Sequence, residues 1–94
     1  MTDHYDIIES GEIVGHIEKG DDAFSWEYDG DDLAFRSVLV QADNFTTYAF
    51  PEGATAESVE PGLKDGTIRV DAPAGEKMTR VRKALPHFPE IELE

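Results

Sequence analysis

FPEGATAESVEPGLKDGTIRVDAP, residues 50–73, is the stretch on which the fold reading turns. Pro51-Glu52-Gly53 interrupts the chain after an aromatic residue, and Pro61-Gly62 and Asp65-Gly66 interrupt it again. Proline removes an N–H and glycine tolerates positive φ, so such groups punctuate regular elements. Residues 54–60, between two breaks, have room for about one turn of helix. After Gly66, Ile68, Val70 and Ala72 alternate with polar residues. That period of two is the pattern of a strand with one buried face. Pro73 cannot donate to a ladder and closes the strand.

Working outward from this stretch, the same grammar repeats. Residues 5–8 and 12–18 read as strands around Ser10-Gly11, with Gly15 marking a bulge. Residues 22–28 place Phe24, Trp26 and Tyr28 on one face, as core or, alternatively, as a ligand platform. Asp29-Gly30 is a hairpin signal, which Asp31 and Asp32 extend. Residues 33–41 are the most apolar run. The pattern shifts phase near Ser37, from Leu33 and Phe35 to Val38 and Val40, which reads as a strand with a bulge. Residues 45–50 form the return strand, and 77–84 a last strand with Arg80 and Arg82 on one face. The segment LPHFPEIELE, residues 85–94, is proline-punctuated and extended. Short strands, glycine turns and almost no helix predict an all-β sandwich or small barrel.

The 94 residues make one domain, 1–85, followed by an extended tail, 86–94. Acidic residues number 21 and basic residues 8, a net charge of −13. Such a surface repels nucleic acid and anionic lipid, so neither is an expected partner. The acids are spread through every segment, a distribution that fits salt adaptation of the surface better than a disordered acidic chain, since apolar residues alternate regularly. Cysteine is absent, which excludes disulfides and thiolate metal sites and suits a reducing cytoplasm. No apolar run has the roughly 20 residues of a membrane helix, and the acidic first residues are unlike a secretory signal.

The segment Phe50-Pro51-Glu52-Gly53, then Ser58-Val59-Glu60, then 63–73 (LKDGTIRVDAP) resembles the C-terminal half of the α-crystallin domain of small heat-shock proteins. The preceding DGDDLAFR, 29–36, is similar to that family's acidic hairpin, and residues 77–84 to its last domain strand. Ile91-Glu92-Leu93 looks like the family's tail motif, which docks on a neighbouring subunit. The lack of an apolar N-terminal arm and of a long swap loop makes the chain more similar to the compact CS-domain co-chaperones. The resemblance implies an antiparallel β-sandwich of α-crystallin/CS type with about seven strands. It further implies a non-enzymatic, ATP-independent chaperone or co-chaperone module binding partner proteins or non-native clients, as a monomer or weak homodimer. The alternative is a structural protein-interaction adaptor on that sandwich without chaperone activity.

No catalytic residue, cofactor or metal is expected. His4, His16 and His87 lie far apart in sequence without ligand spacing. Asp29, Asp31 and Asp32 lack the spacing of a calcium loop and read as a solvated turn, with weak cation binding as the alternative. No GxSxG context or phosphate-binding glycine loop is present. The candidate partner-binding residues are Arg80, Arg82, Ile91 and Leu93. Lys77, Arg80, Arg82 and Lys83 hold half of the basic residues. They either pair with acidic strands nearby or form a docking patch for an acidic partner. Ile91 and Leu93 pack on their own domain, dock on a neighbour, or stay mobile.

Overall fold

Ser10 and Gly11 both take positive φ, 52° and 81°, and this tight turn folds β1 (Asp3–Glu9) against β2 (Glu12–Lys19). Positive φ at both central residues gives the twist that matches a two-residue hairpin. Tyr5 faces Ile17 and Ile7 faces Gly15; the register then shifts so that Ile8 faces Ile13, leaving Val14 as the extra residue. Gly15 is required by close approach: a Cβ there would overlap the Glu27 carbonyl oxygen. β3 (Phe24–Tyr28) pairs antiparallel with the far edge of β2. The structure is a computed structural model and describes residues 2–47, 52–53, 55–65 and 70–94.

The expected all-β sandwich is overturned at the next element. Residues Leu33–Asp43 form an α-helix, α1, with Asp32 as N-cap: its carboxylate accepts the Phe35 N–H at 3.0 Å. Asp29–Asp32 therefore lead into a helix instead of a hairpin. Phe35, Leu39 and Ala42 are buried, the i, i+4, i+7 stripe of a helix. The phase shift near Ser37 was the 3.6-residue period seen over a short window. Residues Ala74–Ala84 are likewise a helix, α3, burying Ala74, Met78 and Val81. Between the two, β4 (Thr46–Thr47) and β5 (Val70–Asp71) form a small ribbon, and Ala56–Asp65 form α2, which runs through Pro61. The expected strands 45–50 and 67–72 lie partly outside the described residues, as do Pro51, Gly66 and Ile68.

A 3₁₀ turn, Leu85–His87, follows α3, and β6 (Ile91–Leu93) then pairs antiparallel with β1. The segment expected as a tail thus carries the fourth strand of the sheet, whose order is β3-β2-β1-β6. Its pairing runs within the chain. The fold is α+β: one four-stranded antiparallel sheet with α1 and α3 on a single face. The all-β architecture that the resemblance implied is thereby corrected, and the chaperone reading no longer has a sandwich to support it.

Between sheet and helices lies the core. Ile7, Ile17, Tyr28, Phe35, Leu39, Ala42, Met78, Val81 and Ile91 are buried, with Phe24, Trp26, Leu93 and Phe88 packed around them. Phe35 sits at the centre, edge-on to Tyr28 at 5.3 Å and to Phe88 at 5.4 Å between ring centroids. Among the described residues, no helix is long and apolar enough to cross a membrane.

Candidate functional site: the groove between α1 and α3

Arg80 and Arg82 do not share a face. Two residues apart on a helix they point about 200° apart. The Arg82 guanidinium lies 5.1 Å from the Tyr5 ring centroid, toward β1. The Arg80 guanidinium turns the other way, 3.4 Å over the ring of Phe45, just beyond α1. On that side α1 and α3 diverge into an open groove of about 500 Å³. Val38, Gln41 and Ala42 line it from α1, and Arg80, Lys83 and Ala84 from α3, with His87 at the end.

The groove is framed by one ion pair. Lys77 Nζ donates to the Asp43 carbonyl at 2.7 Å and stands 4.0 Å from its carboxylate, tying the start of α3 to the end of α1. The other three cations of the helix behave differently. Among the described residues, Arg80, Arg82 and Lys83 have no carboxylate at ion-pair distance: the pairs formed are His4 with Asp6 and Glu18, Lys19 with Asp3, Lys64 with Glu60, and Lys77 with Asp43. In a chain with 21 acidic residues, pairing with nearby acids therefore accounts for Lys77 alone among these four. Ile91 is buried and Leu93 is half-buried, both packed against the protein's own core.

The sheet's open face gathers a second set of polar groups that the sequence reading left apart. The hairpin register sets Asp6 opposite His16 and His4 opposite Glu18. The rings of His4 and His16 stack at 5.5 Å, and His4 Nε2 lies 2.8 Å from Asp6 Oδ1. This bond to Asp6, helped by Glu18 and opposed by partial desolvation, raises the His4 pKa above its ordinary value. Glu94 donates its backbone N–H to the Asp6 carbonyl at 3.1 Å, and the interaction between the neighbouring Glu94 and Asp6 carboxyls pushes Asp6 down and Glu94 up. Counting alternate positions from Ser10-Gly11 would set 4 and 6 with 15 and 17; the extra residue Val14 shifts the register and brings 16 and 18 to that face, so only a correctly placed bulge makes the grouping legible in the sequence. Among the described residues, no three His, Asp or Glu side chains converge as metal ligands.

Tyr28 closes the third polar cluster. Its hydroxyl donates to Glu9 at 2.9 Å and accepts the Asp32 N–H at 3.2 Å. Burial first, then the Glu9 carboxylate, pushes its pKa up to about 12. Arg36 donates to the Tyr28 carbonyl at 2.6 Å, locking the entry of α1 to the end of β3. Asp32 and Arg36 belong to the β3–α1 junction and Glu9 to the end of β1, so the cluster ties that junction to the sheet. Compared with protein-family models, characterised proteins and solved structures, the chain finds no match.

Proposed function

We propose that the protein is a non-enzymatic interaction module that receives a protein partner in the α1–α3 groove. The observation that carries this reading is the pair of cations on the groove wall, Arg80 and Lys83, without carboxylate partners among the described residues, in a chain of net charge −13. A cation left solvated beside so many acids is available to a partner. Half-buried Val38 and Ala84 add apolar area that a partner side chain can cover. The polar clusters elsewhere have structural uses. Tyr28 is engaged at the β3–α1 junction, and His4 is engaged with carboxylates on an open sheet face.

The chain has no cysteine, so one introduced thiol labels one place. Gln41→Cys puts a photocrosslinker in the groove, and Ser25→Cys puts one on the open sheet face. In extract of the source cells at about 1 M KCl, the groove probe is expected to give a discrete protein adduct that Lys83→Glu removes. The sheet probe should not give it. Equal labelling from both positions, or an adduct indifferent to Lys83→Glu, counts against the reading.

A further inference from the structure

Resting on that reading, we infer that the groove's occupant is an acidic amphipathic segment of a partner protein. Side-chain nitrogen groups stand at Arg80, Lys83 and His87, spaced by three and four, the first two of them cations. That spacing keeps them on one side of α3 and its 3₁₀ continuation, a line about 10 Å long. Three donors in a line match carboxylates repeated along a peptide better than a single compact anion. Arg80 is also held in place. Lying over Phe45, it keeps the guanidinium N–H edges free, and that fork fits a carboxylate with two parallel bonds. Half-buried Val38 and Ala84 form an apolar floor for side chains between the acids. A partner with carboxylates on one side and aliphatic residues on the other satisfies both halves of the groove.

The net charge argues against larger polyanions. Duplex nucleic acid carries one negative charge per about 1.7 Å, and its whole length would meet the field of the −13 chain. A short acidic segment brings few charges and places them against the cations. The same field makes an unusual salt signature. Repulsion between the chain and an acidic peptide is long-ranged, whereas attraction to Arg80 and Lys83 acts at contact. Screening length falls from about 10 Å at 0.1 M salt to about 3 Å at 1 M. Salt therefore removes the repulsion first, and affinity for an acidic peptide rises between these limits.

The test uses the full chain and a labelled synthetic peptide of about a dozen residues, with leucines at helical spacing and glutamates between them. A second peptide replaces every glutamate with glutamine. Fluorescence anisotropy is read from about 0.1 to 1 M KCl. The expected result is tighter binding of the glutamate peptide at high salt, by about fivefold or more over the glutamine peptide. Lys83→Gln should weaken it about two- to fivefold, and Lys83→Glu should erase the preference. Lys83 is exposed and has no partner among the described residues, so these variants keep the fold, as circular dichroism will verify. Equal binding of both peptides, or indifference to Lys83→Glu, overturns the inference. So does displacement of the peptide by inorganic pyrophosphate or an RNA oligonucleotide, or self-association of the chain that Lys83→Glu abolishes. If the Gln41 crosslink persists while the glutamate peptide has no advantage, the module reading stands and only the acidic occupant is lost.

Discussion

Leu33 and Phe35 decide between the two ways of folding the middle of the chain. In a strand they are two apart and share a face, so truncating either should cost the same. In α1 they are 200° apart, by about 100° per residue. Leu33 is 77% exposed and Phe35 is 0% exposed. Phe35 also touches two other rings, Tyr28 and Phe88, at the centre of the core. Phe35→Ala removes a fully buried aromatic and leaves a cavity, at a cost of about 3–5 kcal/mol. Leu33→Ala deletes solvated atoms and should stay within about 0.5 kcal/mol of the parent. A domain of this size has about 5–14 kcal/mol of total stability, so Phe35→Ala consumes a large fraction of it. Phe35→Leu, at about 1–2 kcal/mol, keeps a measurable folded baseline if the alanine variant does not fold. Urea unfolding at about 1 M KCl, followed by the fluorescence of Trp26, reads all three. With a slope of about 1–3 kcal/mol per molar urea, the Phe35→Leu midpoint moves by about 0.3–2 M, several times more than that of Leu33→Ala at the same slope. Equal losses at 33 and 35 would refute the helix and restore the strand.

Gly15→Ala forces a Cβ against the Glu27 carbonyl and the Tyr28 Cα, so it should destabilise by about 1–3 kcal/mol in the same urea assay; a neutral result would mean β2 and β3 are farther apart. The net charge of −13 predicts that the melting temperature rises from low salt to about 1 M KCl as self-repulsion is screened, and a flat or falling curve contradicts this. His4 has a folded pKa raised above 6.5, chiefly by its bond to Asp6. Its contribution to stability is complete below pH 6.5 and is lost as pH rises through the raised value. The melting temperature of the parent minus that of His4→Gln should therefore shrink across that window, and a difference that grows with pH would reverse the assignment.

The first three strands were legible because their signals were local. Ser10-Gly11 fixes a turn, and Tyr5, Ile7, Ile17, Trp26 and Tyr28 follow the two-residue period on one face. α1 was misread because 33–41 is a short apolar run with β-branched Val38 and Val40, which strand and helix both accommodate. The start signal was present: Asp32 before an apolar run is an N-cap. It was outweighed by Asp29-Gly30, a pair that also marks hairpins. In α3 the spacing of Ala74, Met78, Val81 and Leu85 is helical, and likeness to a family strand took precedence over it. A resemblance carried by turns and alternating residues transfers those local features without the sheet partners that define a sandwich.

The same error concealed the groove. Read as a strand, residues 77–84 pair Arg80 with Arg82 and give no role to His87. Read as a helix, they separate those two and bring Arg80 together with Lys83 and His87. Lys77 is drawn into the ion pair with Asp43. What the sequence carries without any structure is the imbalance itself: half of all basic residues within seven positions of a strongly acidic chain. Clustering of that kind gives one place on the surface a local field opposite in sign to the rest of the chain. In α3 the core-facing stripe is apolar, and Arg80 and Lys83 fall on the side turned toward α1, beyond ion-pair reach of any described carboxylate. Their position on the helix, set by the burial of Met78 and Val81, is what converts a compositional imbalance into a directed surface.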